Sequence, residues 1–200
     1  KDLKRQILFI KKNCKIPICI DTEGAQIRTK LSRKKRIKYF KKNIIFFNKL
    51  SKDKNFYPPD VFDKLKIKDI LDIGFEGLKI KIIGKTKNQI KAICINQGFF
   101  ENNKGVHVIN RKVKLNYLTK KDLQSIKIAK KLKIKNYALS FTNSISDIKN
   151  FSKLLPREKK IFKIETFEAL KNINLFFKIG NQFLIDRGDL SKDIGIENIP

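Results

Sequence analysis

Two short stretches decide the fold: Ile161-Phe162-Lys163-Ile164-Glu165 and Arg187-Gly188-Asp189-Leu190. Each brings charged residues to the C-terminal end of an apolar run, at 160–164 and 182–185, and runs this rich in β-branched and aromatic residues predict buried strands. The segment 166–178 between them predicts a helix. A strand, a helix and a strand with acids at both strand ends is the layout of a βα-barrel active site.

Glu165 and Asp189 are the candidate metal ligands of this layout. We expect them to be neighbours in space and to offer oxygen ligands to a divalent metal. Lys163 lies two residues before Glu165 and therefore points to the same side of its strand. Because a buried lysine needs a partner or a substrate anion, the group favours a functional site over simple strand termination.

Two further strands are predicted to end in polar residues. Asp21 follows the run at 16–20, in which Cys19 is expected to be a core residue, and Ser140 follows the strand that starts at Tyr137. For Ser140 a capping role is an equal alternative, because Ser favours helix starts. Four strands are predicted where a closed barrel needs eight. We therefore expect a partial barrel, in a fragment that lacks both ends.

The pattern of apolar and polar residues changes between residues 30 and 115. Short alternating runs at 36–40, 43–47, 78–83 and 89–95 are separated by turn signals without helices, which predicts a small antiparallel barrel or sandwich. The expected domains are 1–29 (first part of the barrel), 30–115 (inserted β-barrel) and 116–200 (barrel, continued and truncated).

Composition limits the classes of protein. A hydrophobic fraction of 41% with 16 Phe indicates a folded chain. The net charge of +28 suggests a nucleic-acid partner, but the excess is Lys, spread evenly and accompanied by Ile and Asn, which favours an AT-rich genome as its cause. Three scattered cysteines and no apolar run of membrane length predict a cytoplasmic protein without a membrane partner. The only histidine, His107, is expected to be structural, since no metal partners lie at useful spacing.

In order along the chain, these motifs resemble those of the pyruvate kinase family. Residues 18–29 are similar to the family's Leu-Asp-Thr-Lys-Gly-Pro-Glu-Ile-Arg-Thr, and Lys104-Gly105-Val106 is similar to the Lys-Gly-Val-Asn that closes its inserted B domain. Leu139-Ser140-Phe141 resembles Ala-Ser-Phe. The two stretches quoted first contain Lys-Ile-Glu and Arg-Gly-Asp-Leu unchanged.

The resemblance implies an α/β fold: a partial (βα)8 TIM barrel of the phosphoenolpyruvate/pyruvate-binding type with an inserted small β-barrel B domain. It implies a glycolytic phosphotransferase that moves a phosphoryl group between phosphoenolpyruvate and ADP, giving pyruvate and ATP. The implied cofactors are Mg²⁺ or Mn²⁺ and K⁺, with ADP and ATP as substrates. For the full-length protein a homo-oligomer is left open.

The resemblance also implies a role for each matching residue. The expected roles are divalent metal binding by Glu165 and Asp189, monovalent cation binding by Asp21 and Thr22, catalysis by Lys163, nucleotide or phosphate binding by Arg28 and Lys104, and substrate binding by Lys163, Ser140, Gly188 and Asp189.

The chain departs from the family pattern beside these residues, for example at Glu23, Gln26, His107 and Asp186. Two alternatives follow. One is a diverged barrel enzyme that acts on another enolpyruvyl or 2-oxo acid substrate, in sugar or polysaccharide metabolism. The other is a non-catalytic basic protein that binds a polyanion.

Overall fold

A computed structural model of the protein describes residues 2–32, 36–74 and 77–199. The strands are β1 (Cys19–Asp21), β2 (Ile27–Leu31), β3 (Arg36–Tyr39), β4 (Ile44–Asn48), β5 (Lys54–Tyr57), β6 (Ile70–Ile73), β7 (Leu78–Lys85), β8 (Gln89–Cys94), β9 (Gly98–Glu101), β10 (Gly105–Val108), β11 (Asn136–Leu139), β12 (Lys159–Ile164) and β13 (Phe183–Ile185). The helices are α1 (Leu3–Asn13), α2 (Val61–Lys64), α3 (Lys120–Lys131), α4 (Ile145–Leu154), α5 (Phe167–Lys171), α6 (Ile173–Phe176) and α7 (Arg187–Ile194), followed by a 3₁₀ turn at Ile196–Asn198.

The chain divides into two compact units. The first consists of Lys1–Ala25 and Asn116–Pro200, and the second of Gln26–Leu115. The sequence placed the first boundary after residue 29, but β2 lies in the second unit because it pairs with β10 on one side and β5 on the other. The assignment of the segments to barrel and B domains stays a prediction.

The first unit is a four-stranded parallel sheet in the order β1-β11-β12-β13. Its core contains the fully buried side chains of Tyr137, Phe151, Phe162 and Phe176. Parallel strands need crossover connections, usually helical, and α3, α4, α5 and α6 lie in those connections. The predicted α/β arrangement of this unit is therefore observed. Four parallel strands do not establish a partial TIM barrel, which stays a prediction.

The edge strands of this sheet are less buried than the sequence predicted. Cys19 in β1 is exposed rather than part of the core, and Leu184 and Ile185 in β13 are 45% and 48% exposed. Apolar runs predict strands well but cannot tell a central strand from an edge strand, since the distinction depends on neighbours elsewhere in the chain.

The single helix predicted over 166–178 is wrong, because two short helices occupy this segment. Asn172 separates α5 from α6, and its side-chain amide donates hydrogen bonds to the carbonyl oxygens of Asn143 (3.2 Å) and Glu168 (3.0 Å). Asn side chains compete with the helical backbone for hydrogen bonds. The break also ties the segment to the loop that follows β11.

The second unit is an antiparallel sheet of seven strands, in the order β4-β8-β7-β6-β10-β2-β5, with the pair β3-β9 beside it. The two edge strands approach each other: Asn55 of β5 donates to the carbonyl oxygens of Asn48 (2.9 Å) and Lys49 (3.1 Å) at the end of β4. Phe47, Phe56 and other apolar side chains fill the interior. The sheet is thus a nearly closed barrel, as the alternating runs predicted.

Within residues 2–32, 36–74 and 77–199, none of the helices combines the length and the apolar character that crossing a bilayer requires.

Candidate functional site

Polar side chains gather at one edge of the parallel sheet. Asp21 is the last residue of β1, Ser140 follows β11, Glu165 follows β12 and Asp186 follows β13. Because all four strands run in the same direction, these residues share the carboxyl edge of the sheet, where ligands bind in open α/β proteins.

Lys163 is the centre of this group. Its ammonium nitrogen lies 2.8 Å from Glu165 Oε1, 3.1 Å from Asp186 Oδ2 and 3.4 Å from Asp21 Oδ2. Burial by itself would lower the pKa of Lys163, but the hydrogen bond and charge of Glu165, together with Asp21 and Asp186, raise it above its usual value. These contacts favour the positively charged form of Lys163.

Glu165 is almost completely buried, with 1% of its side chain exposed. Its second oxygen, Oε2, accepts a hydrogen bond of 2.6 Å from the backbone N–H of Phe141, a residue with a φ of 52°. Left-handed backbone is costly for a bulky residue and concentrates at functional sites. Burial raises the pKa of the Glu165 carboxyl, against the opposing effects of Lys163 and of the Phe141 N–H.

Hydrogen bonds connect the loop that begins at Asp21 to Ser140. The Ser140 hydroxyl donates to Asp21 Oδ1 (2.9 Å), and its backbone N–H donates to the Thr22 hydroxyl (3.0 Å). Gly24 has a φ of 64°, and a Cβ built there would lie 2.3 Å from the carbonyl oxygen of Ser140. Ser140 thus holds the predicted monovalent-cation residues in place, and it does not cap a helix; Ser144 does.

Asp122 supports the same loop from α3. Its two carboxylate oxygens accept hydrogen bonds from the backbone N–H groups of Glu23 (2.7 Å) and Gly24 (3.3 Å), and it also closes the capping box with Thr119. In the sequence, Thr119 followed three positions on by Asp122 predicts only a capping role for Asp122. Its support of the Asp21 loop depends on contacts with residues that lie 98 or more positions away along the chain. A local capping pattern does not predict such contacts.

Three carboxylates form a cluster beside Lys163. Glu165, Asp186 and Asp189 each offer an oxygen, and these oxygens all lie within 4.8 Å of one another. Asp186 is also the N-cap of α7, where it accepts from the Asp189 N–H, and Asp189 pairs with Lys192 at 2.7 Å. Carboxylate oxygens are hard ligands, so this donor set suits Mg²⁺ or Mn²⁺.

Asp186 was not among the predicted site residues. A signal was available, since it is an acid immediately after an apolar run, which is how Asp21 was found. Gly188 lies in the first turn of α7 next to this cluster, and its carbonyl oxygen accepts from Ser191.

Arg28 and Lys104 lie in the second unit. The guanidinium of Arg28 donates to the carbonyl oxygen of Asn103 at 3.4 Å, while its buried Nε has no hydrogen-bond partner. Lys104 pairs with Glu101 at 3.0 Å, and its backbone carbonyl and N–H bond to Thr29. The two cations flank the strand pair of β2 and β10, and their binding to phosphate stays a prediction.

Acids and a lysine at the carboxyl edge of a parallel sheet are typical of enzyme sites in α/β proteins. A family profile described as "Pyruvate kinase, barrel domain" matches residues 4–200. The chain therefore belongs to the pyruvate kinase family.

Individual relatives agree with this assignment. The chain is 34% identical to a pyruvate kinase of Staphylococcus haemolyticus over 136 residues, which cover 66% of the chain and 23% of that protein. It is 28% identical to a pyruvate kinase of Mycoplasma genitalium over 205 residues, which cover 94% of the chain and 40% of that protein. The chain thus spans less than half the length of these relatives.

Proposed function

We propose that the protein transfers a phosphoryl group between phosphoenolpyruvate and ADP, giving pyruvate and ATP, in glycolysis. The observation that carries this proposal is the position of Lys163 beside the carboxylates of Glu165, Asp186 and Asp189. The family relationship indicates the reaction, and the cluster supplies the ammonium group and carboxylates that phosphoryl transfer uses. The two units are then the barrel and the B domain.

The exposed edges of the parallel sheet fit a partial TIM barrel. Leu184 and Ile185 at one edge are about half exposed, and Cys19 at the other edge is exposed as well. Unpaired strand edges are a liability in a soluble protein. Further barrel strands in the full-length protein would cover them.

Phosphoryl transfer needs positioning and charge neutralisation more than covalent chemistry. Glu165 and Asp189 would hold a divalent cation, Mg²⁺ or Mn²⁺, and the bound cation supplies Lewis-acid charge neutralisation on the phosphate oxygens. Lys163 Nζ would face the same oxygens and stabilise the enolate of pyruvate as the phosphorus–oxygen bond breaks. The three carboxylates around Lys163 keep it protonated for this purpose.

The remaining residues would orient the two substrates. Ser140 and Gly188 would line the phosphoenolpyruvate pocket, and the oxygens of Asp21 and Thr22 would bind K⁺. Arg28 and Lys104 would bind the phosphates of the nucleotide, because hydrogen bonds between charged groups are stronger than those between neutral groups.

The test is a coupled assay with phosphoenolpyruvate and ADP on the full-length protein, with Mg²⁺ and with excess chelator. We expect turnover that stops when the cation is removed and that falls by orders of magnitude in Lys163→Ala. A folded wild-type protein with no turnover would eliminate the proposal. The diverged-enzyme alternative would then be tested with other enolpyruvyl and 2-oxo acid substrates.

A second candidate, polyanion binding, is favoured by a different observation. On the second unit, cations lie over the rings of partly exposed aromatic residues: Arg36 over Phe99 at 4.7 Å and Lys38 over Phe40 at 5.0 Å. Such pairs suit single-stranded nucleic acid. Binding of poly(U) with a steep salt dependence, unchanged by Glu165→Gln, would support this function.

A further inference from the structure

Asp186 contacts both Lys163 and Asp189 in the proposed metal site. Its Oδ2 is 3.1 Å from Lys163 Nζ, its Oδ1 accepts from the Asp189 N–H at 3.3 Å, and one of its oxygens belongs to the cluster with Glu165 and Asp189. The Asp186 side chain is 31% exposed. An ion can therefore reach it from solvent, whereas the Glu165 side chain is only 1% exposed.

The charges around Lys163 do not cancel. Lys163 pairs with three carboxylates, those of Asp21, Glu165 and Asp186. Three negative groups around one positive group leave an excess of two negative charges, which one divalent cation would neutralise. Without the Asp186 carboxylate the excess would be a single negative charge.

We propose that Asp186 is the third carboxylate ligand of the divalent cation and determines how tightly this chain holds it. The inference rests on the proposed function, since it assumes the cation site of Glu165 and Asp189. The number of charged ligands is a main determinant of cation affinity in carboxylate sites. An ion that Asp186 binds also takes a negative partner from Lys163, which frees the ammonium group to face a substrate phosphate.

A clean test has to separate this role from the two structural roles of Asp186. Asp186→Asn keeps a side chain that can cap α7 and accept from Lys163, but it removes the charge. Asp186→Ser keeps the cap and removes both the charge and the reach. Asp193→Asn is the matched control, because Asp193 is on the same helix and accepts from the backbone N–H of Phe167 at 2.6 Å.

The experiment is a titration of the full-length protein with Mn²⁺, in which free Mn²⁺ is followed by electron paramagnetic resonance. Thermal unfolding in excess chelator checks that each variant is folded. We expect the Kd for Mn²⁺ to rise about tenfold or more in Asp186→Asn and Asp186→Ser, as the loss of one full charge at short range requires. Asp193→Asn should bind as the wild type does.

Two results would overturn the inference, and they differ in what they imply. If the wild type binds Mn²⁺ and both folded Asp186 variants bind it equally well, Asp186 is only a partner of Lys163, while the proposed function stands. If the folded wild type binds no Mn²⁺ at millimolar concentration, the metal site of the proposed function fails together with this inference.

Discussion

At the scale of single residues, the site depends on charge balance. Lys163 compensates Glu165, whose side chain is 1% exposed, and also contacts the more exposed Asp21 and Asp186. Removing the lysine would leave a buried carboxylate without its ion-pair partner. A divalent cation in the carboxylate cluster could replace the missing charge.

Lys163→Ala should therefore be unstable mainly when no divalent cation is present. We expect a loss of about 3 to 5 kcal/mol in metal-free buffer, the usual cost of leaving a buried charge without its partner, and a larger gain from Mn²⁺ than the wild type shows. Thermal unfolding with and without Mn²⁺ measures both. Equal losses in the two buffers would mean that the cation does not bind beside Lys163.

Gly24 tests the packing of the Asp21 loop. It has a φ of 64°, and a Cβ there would lie 2.3 Å from the Ser140 carbonyl oxygen. Gly74 has a φ of 80°, and among the described residues other than its chain neighbours no heavy atom lies within 4 Å of its Cβ position. Gly74→Ala should cost only backbone strain, about 1 to 2 kcal/mol. Gly24→Ala should cost a further 1 to 3 kcal/mol or so for the forced displacement. Equal losses of unfolding free energy would show that the loop moves freely away from Ser140.

At the scale of elements, the helices were predictable where local signals define them. Apolar residues at Leu3, Ile7 and Ile10 predict a helix over 3–13, and α1 has these ends. Thr119 and Ser144, each followed three positions on by an aspartate, predict the N-caps that α3 and α4 have. Caps and periodicity are local, so a sequence contains them. Several strands of the second unit, such as β5 and β6, were not predicted, because their sequences Lys-Asn-Phe-Tyr and Ile-Leu-Asp-Ile do not alternate between polar and apolar residues.

Asp122 and Asp147 form a matched pair for testing what the Asp122 contacts add. Both complete a capping box. Asp147 also accepts from the neighbouring Asn143 N–H at 3.1 Å, whereas Asp122 accepts from the distant Glu23 and Gly24. Asp147→Ala should cost about 1 to 3 kcal/mol, for the cap and one partly buried hydrogen bond. Asp122→Ala should cost about 4 kcal/mol or more, because it loses the cap and two further hydrogen bonds to a charged acceptor, worth about 1.5 to 3 kcal/mol each. Chemical denaturation of both variants decides this, and similar costs would contradict a support role for α3.

At the scale of the whole molecule, the order of motifs along the chain predicted the family, and the profile match over residues 4–200 confirms it. No single motif would have sufficed, because a Lys-Ile-Glu or Arg-Gly-Asp sequence alone ends many strands. The sequence marks Asp186 as an acid that follows an apolar run, but it does not show which other acids lie beside it. Its position in the cluster depends on pairing between β12 and β13, which sets Ile164 opposite Ile185.

The two units have separate cores, so a buried ion pair in one of them offers a further test. Within the second unit, the Arg111 guanidinium donates two hydrogen bonds of 2.6 Å to the Asp69 carboxylate, and the Asp69 side chain is 2% exposed. Arg111→Met should destabilise that unit by about 3 to 5 kcal/mol, since it leaves an unpaired buried charge. Hydrogen exchange should quicken across 26–115 and stay unchanged in β11 and β12. Exchange that quickens equally in both units would contradict two independent cores.

Arg5→Met is the control for that experiment. Arg5 lies 3.3 Å from Asp2, and 88% and 54% of the two side chains are exposed. Exposed pairs of this kind contribute about 0 to 1 kcal/mol. Its exchange pattern should therefore match that of the wild type in both units.

In the proposed function, the carboxylate cluster of Glu165, Asp186 and Asp189 holds a divalent cation that phosphoryl transfer requires. The most direct measurement is turnover of phosphoenolpyruvate and ADP by the full-length protein as a function of Mg²⁺ concentration, for wild type and Glu165→Gln. We expect wild-type turnover to rise with Mg²⁺ from zero, and kcat/KM to fall at least about 100-fold in folded Glu165→Gln, a loss of roughly 2.7 kcal/mol. Turnover that needs no divalent cation, or that survives Glu165→Gln unchanged, would contradict the account.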